Sequence, residues 1–169
     1  MPVAWTGIVR LGTRAGLALA GLGAATACSD PGSDCGPREA TVERVIDGDT
    51  IVLPGDVKIR YLLVNAPEIT SGHDCYGASA AQFNTDLVLG KPVQLDYDTG
   101  CQDRFGRTLA YVTVGGQDVN RLLIERGYAC VLHIPPDGDG RAGELTAVEA
   151  AARAARRGLW GACDPIPCN

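Results

Sequence analysis

Within 25 residues, "ATVERVIDGDTIVLPGDVKIRYLLV" (Ala40 to Val64) sets two tight-turn signals between three apolar, β-branched runs. Asp47-Gly48-Asp49 divides "ATVERVI" from "TIVL", and Pro54-Gly55-Asp56 divides "TIVL" from "VKIRYLLV". Asp-Gly tolerates the backbone angles of a hairpin turn, and Val, Ile and Thr suit the pleated surface on either side. The stretch therefore predicts three consecutive antiparallel strands.

The pattern then changes period. Ser79 and Gln82 read as a capping box, Ala80, Phe83 and Leu87 fall on one helix face, and Gly90 ends the run. "PVQLDYD" and "TLAYVTV" read as the fourth and fifth strands. "DVNRLLIERG" offers Asp118 as an N-cap and Gly127 as a stop, "YACVLHI" is short and extended, and Ala142 to Arg157 is Ala-rich and helical up to Gly158. Three strands, a helix, two strands and further helices predict an α+β fold: a five-stranded OB-type Greek-key β-barrel with about three α-helices. Such barrels serve many ends, so the fold alone leaves the function open.

The N-terminus reads as a leader. Arg10 and Arg14 precede the short apolar stretch "AGLALAGLGAATA", which is too short to span a bilayer and ends in small residues before Cys28. Residues 1–27 are expected to be a signal peptide, either of lipoprotein type with Cys28 as the lipidated residue or cleaved for plain secretion. Residues 28–39 read as a flexible tether, 40–162 as the folded domain and 163–169 as a Cys-containing tail. Six cysteines remain after Cys28, an even number that suits three disulfides in an oxidising compartment. None forms a C-x-x-C pair and the chain has two His, which argues against zinc. Without residues 1–27 the chain carries 13 basic and 20 acidic residues, net −7, so any phosphate partner must be drawn by a local cluster.

Such a cluster is available at strand ends and turns: Asp47 and Asp49 in the first hairpin, Arg60 and Glu68 flanking the third strand, Arg104 and Arg107 in "DRFGR". Turns at one end of a small barrel meet in space. Asp49 and Glu68 could then share a hard cation, with Arg60 and Arg107 facing it. Phosphodiester hydrolysis needs these groups. Guanidinium groups hold the charge on the phosphoryl oxygens, a hard cation polarises the phosphate, and a carboxylate takes a proton from water. Taken singly, each has a plainer reading as turn chemistry or a solvated surface charge. "DGDGRAGE" (Asp137 to Glu144) has the composition of a calcium loop, but Arg141 stands where a ligand is needed.

"VIDGDTIVL", "IRYLLVNAPE", "CYGASAAQF", "DRFGRTLAYV", "VNRLLIERGYA" and the final "GLW", in this order, resemble the thermonuclease (staphylococcal-nuclease-like) family over about Ala40 to Trp160. The resemblance implies a calcium-dependent endonuclease on DNA or RNA, with water attacking phosphorus, the 5′ oxygen leaving and 3′-phosphate products. It assigns Arg60 and Arg107 as catalytic arginines and Glu68 as general base. It assigns Asp49, Asn65, the Ala66 carbonyl and, through a water, Glu68 to calcium, with Asp47 standing behind them. Arg104 and His133 are assigned to the substrate. Asn65 replaces a carboxylate usual in the family, which removes one ligand charge. His133 and Pro135 stand near positions where the best-known members carry tyrosines, and the Ile69–Asp74 loop is short. The protein is expected to act as a monomer, touching membrane only through a lipid on Cys28. Cys75 and Cys101 are expected to pair, and the other four cysteines stay open. Two rival functions remain: a catalytically weakened module that binds nucleic acid or a protein partner, and a disulfide-stapled envelope lipoprotein.

Overall fold

The computed structural model describes residues 35–69 and 74–168. The expected leader, Cys28 and most of the Ile69–Asp74 loop lie outside them. The first apolar run bends into two strands, β1 (Glu39–Thr41) and β2 (Arg44–Val45). Val42 is buried at the bend and bonds through its backbone to Gly90 and Lys91, while the Glu43 N–H turns the other way to Val52. β2 pairs antiparallel with β3 (Thr50–Leu53), and β3 with β4 (Val57–Tyr61). β4 runs parallel to β7 (Thr108–Val114), which pairs back with β6 (Pro92–Asp96), which pairs with β1. The hydrogen-bonded order is β1-β6-β7-β4-β3-β2, and its two ends are halves of one continuous run. The sheet thereby returns on itself as a five-stranded OB-type barrel. Ile51, Ile59, Leu95 and Val112 fill its interior, each at most 1% exposed.

The third predicted strand also breaks. Leu62 leaves the barrel, Leu63 takes a left-handed φ of 61°, and β5 (Leu63–Asn65) pairs antiparallel with β9 (Cys130–Leu132) in a second, two-stranded sheet. Fully buried Asn120 repairs the break: its side chain accepts the Val112 N–H and donates to the Leu62 carbonyl. Asn120 lies on α2 (Val119–Glu125), which follows the short β8 (Gln117–Asp118) and starts, as expected, with the Asp118 side chain accepting the Arg121 N–H. α1 (Gly77–Val88) starts two residues before Ser79, after a left-handed Tyr76 and with no side-chain cap, so the predicted capping box does not form. α3 (Ala142–Ala154) and the short α4 (Leu159–Ala162) close the chain.

The disulfides differ from the expected Cys75–Cys101 pair. Cys35 bonds Cys101, Cys75 bonds Cys163, and Cys130 bonds Cys168. The physical reason lies in the chain ends, which pack onto the body. Arg38 and Pro37 accept bonds from Leu95 and Tyr97, so residues 35–39 are built into the fold and carry Cys35 to Cys101. At the other end Leu159 and Cys163 are buried with Cys130, and Tyr76 packs on them.

Candidate active site

The first hairpin places Asp49 under the barrel rather than at a solvent tip. The Asp47 carboxylate accepts the Asp49 N–H at 3.0 Å, which tightens the turn. Gly48 lets the turn approach closely: a Cβ there would stand 2.5 Å from Ala66 Cβ and 2.8 Å from Ala80 Cβ. Asn84, on α1 and fully buried, donates to the Asp47 carbonyl and accepts from the Tyr61 hydroxyl. Asp49 itself is 5% exposed. One of its oxygens accepts the Thr50 hydroxyl at 3.0 Å, and the other accepts the Ala66 N–H at 2.7 Å.

Arg60, on β4, completes that pair. Its Nη2 stands 3.2 Å from Asp49 Oδ2, with both side chains at or below 10% exposure, and donates to Asn65 Oδ1 at 3.4 Å. Nη1 donates to the carbonyls of Tyr61 and Val64. The strand break at Leu62 makes this possible, because it folds the Val64 carbonyl and Asn65 back over Arg60. Burial pushes the Asp49 carboxyl up to about 7, Arg60 pulls against that rise, and the Asp47 charge adds to it.

The pairing of β4 with β7 brings the second arginine alongside. Arg60 lies opposite Leu109, and Arg107, just ahead of β7, lines the same cavity as both. Asp103 holds Arg107, accepting its Nε–H at 2.7 Å with Nη2 also 2.7 Å from the same oxygen. Arg104 and Arg107 stand over the Phe105 ring, their guanidinium carbons 4.8 and 5.5 Å from its centroid.

Arg60, Asn65, Glu68, Arg104 and Arg107 line one cavity of about 540 Å³. Glu68 is exposed, and its backbone is held by Asp74, whose carboxylate accepts the Glu68 N–H while the Glu68 carbonyl accepts the Asp74 N–H. Asp49 does not line the cavity; it lies behind Arg60. His133 is not among the lining residues either, and its ring bonds Asp139 at 2.7 Å. Its neighbours Leu132, Ile134 and Pro135 line the cavity instead. His133 follows the end of β9, and its bond to Asp139 holds its ring outside the lining. Phe105 and Ile134, 69% and 65% exposed, make an apolar lip. Asp103, Phe105 and Ile134 were not singled out from sequence, although the first two sit inside the quoted "DRFGR".

Among the described residues, no group of three or more His, Cys, Asp or Glu side chains comes together to hold a metal. The expected calcium donors are hard oxygens, the donor type a hard cation takes, but Asp49 Oδ2 and Asn65 Oδ1 both face Nη2 of Arg60, and Asp49 is buried behind the cavity wall.

Residues 58–162, which include every cavity arginine and Glu68, match the family described as staphylococcal nuclease homologue. Endonuclease YncB of Bacillus subtilis (strain 168) is 41% identical over 101 residues, covering 56% of this chain and 48% of the relative. The SPbeta prophage-derived endonuclease YokF of the same organism is 33% identical over 129 residues, covering 72% and 44%. A thermonuclease of Staphylococcus intermedius is 36% identical over 102 residues, covering 57% and 61%. The chain thus spans about half the length of these curated relatives. With the matched segment carrying the barrel strands β4, β6 and β7, the helices and the arginine-lined cavity, the chain belongs to the staphylococcal nuclease homologue family.

Proposed function

We propose that the chain is an exported, calcium-dependent nuclease that hydrolyses phosphodiester bonds of DNA or RNA. The observation that carries this is the meeting of Arg60, Arg107 and Glu68 on one cavity beside Asn65. A phosphate seated there would meet two permanently charged guanidinium groups. Arg60 spends Nη1 on two carbonyls and faces Asp49 and Asn65 with Nη2, which fixes the plane of its guanidinium at the cavity wall. Glu68 takes a proton from a water as its oxygen bonds to phosphorus. The bond from phosphorus to the 5′ oxygen breaks, leaving a 3′-phosphate and a 5′-hydroxyl. Calcium, held by Asp49, Asn65, the Ala66 carbonyl and Glu68 through a water, would supply Lewis-acid polarisation of the phosphate. The apolar lip favours unstacked bases, so single strands fit better than a duplex.

Export is supported by the leader pattern and by three disulfides, which persist in oxidising compartments. A lipid on Cys28 remains the proposed anchor. A second reading is favoured by a specific feature: two of the three cavity arginines, Arg60 and Arg107, are already paired to carboxylates, Asp49 and Asp103. A module that binds nucleic acid without cutting it would look the same. Calcium titration of single-stranded DNA cleavage separates the two, with product ends identified. Cleavage leaving 3′ phosphates, with Asn65→Asp needing less calcium, supports the nuclease; binding without cleavage at any calcium concentration supports the module. A calcium requirement unchanged in Asn65→Asp removes Asn65 from the ligand set.

A further inference from the structure

We infer that Asp103 is a positioning residue for Arg107, holding that guanidinium in the orientation in which it meets the phosphate; this rests on the nuclease reading above. The two oxygens of Asp103 have separate partners. Oδ1 accepts the N–H groups of Phe105 and Arg107 at 2.9 and 3.0 Å, which shapes the turn. Oδ2 accepts the Arg107 Nε–H at 2.7 Å and stands 2.7 Å from Nη2, an ion pair along one edge of the guanidinium. The turn is closed without that grip: the Asp103 N–H donates to the Arg107 carbonyl, and the Gly106 N–H to the Asp103 carbonyl. The grip on the side chain is therefore additional to turn formation.

A guanidinium has five N–H donors in a fixed plane. Asp103 occupies the Nε edge, which leaves the Nη1 end free to face the cavity. Phe105 lies against one face of the group. Edge and face contacts together restrict a side chain that is 29% exposed and would otherwise sample many rotamers. Burial pushes the Asp103 carboxyl up, but the Arg107 N–H, the Arg107 guanidinium and the Phe105 N–H more than offset this and hold it below the ordinary carboxylate value. Its charge therefore persists at neutral pH.

Asp103→Asn separates the two tasks. The Asn oxygen can still accept both turn N–H groups, while its NH2 meets the Arg107 donors and cannot accept from them. Wild type and variant are compared for kcat and KM on single-stranded DNA with calcium, for thermal unfolding, and for solvent exchange of the Arg107 Nε–H by NMR. The expected result is a kcat lower by roughly 10–100-fold, as for a misplaced charge-stabilising group, with KM and the unfolding midpoint little changed and the Nε–H exchanging faster. Asp103→Ser, whose hydroxyl can accept turn N–H groups but is too short to reach the guanidinium, gives the same loss. In an Arg107→Ala background, Asp103→Asn costs nothing further. Unchanged kcat in a wild type that cleaves overturns this inference alone. So does a lower kcat accompanied by an equally lowered unfolding midpoint and an Nε–H that remains protected. A wild type that cleaves no nucleic acid overturns the nuclease reading and this inference with it.

Discussion

Asp49 engages three different groups with one carboxylate: the Thr50 hydroxyl, the Ala66 N–H and the Arg60 guanidinium. Removing it leaves Arg60 buried without a counter-charge, which costs about 3–5 kcal/mol for a broken buried pair. Asp49→Ala should therefore destabilise the protein by about that amount in urea unfolding; a loss well under 1 kcal/mol would mean that Arg60 relaxes to solvent. The identities of the charged residues are legible in the sequence, but their pairings are not. Asp47-Gly48-Asp49 reads as a turn with two similar carboxylates, yet only Asp49 is carried inward, because Gly48 allows the turn to press against Ala66 and Ala80. His133 shows the same limit. Its ring chemistry suggests stacking, but the ring bonds Asp139 and the cavity is lined by Leu132, Ile134 and Pro135.

Strand positions were legible wherever a turn residue bounds them. "TIVL" and "TLAYVTV" are β3 and β7 residue for residue. What apolar runs conceal is where one strand changes partner. In "VKIRYLLV", Tyr61 to Val64 are all buried, those before the break in the barrel and those after it against β9, so no change of polarity marks Leu62. The break is functional in consequence, since it folds Asn65 and the Val64 carbonyl onto Arg60. Asn120 underwrites it from the next helix. Asn120→Ala orphans the Leu62 carbonyl and the Val112 N–H, each buried, at about 1–3 kcal/mol per group. It should lower stability accordingly and weaken cleavage by loosening Arg60; an activity that survives intact per folded molecule would show that the break holds without it. The Ser79–Gln82 box failed for a related reason. A Cβ on Gly77 would stand 2.7 Å from the Glu68 carbonyl oxygen, so glycine lets α1 begin against that segment, two residues ahead of Ser79.

Three disulfides tie both ends of the described chain to segments that carry the cavity. Cys101 lies two residues before Asp103, Cys130 lies opposite Asn65 on β9, and Cys75 follows Asp74, which holds the Glu68 backbone. Six cysteines allow 15 pairings, and the observed one depends on where the termini pack, which composition cannot reveal. Cys75–Cys163 spans 88 residues. Its loss in a Cys75→Ser, Cys163→Ser variant should cost about 2–4 kcal/mol, measured by urea unfolding under oxidising conditions; no change would show that α4 and the tail stay docked without it. The acidic balance of the molecule places the burden of phosphate attraction on Arg60, Arg104 and Arg107, and Glu68, the proposed general base, is the group on which nuclease and inert module differ most. The decisive measurement is cleavage of single-stranded DNA by wild type and Glu68→Gln, side by side, from EDTA through millimolar calcium. Wild type should cleave only with calcium, and Glu68→Gln should be slower by roughly 10²–10⁴-fold. Equal rates, or no cleavage by either protein at any calcium concentration, would contradict the assignment.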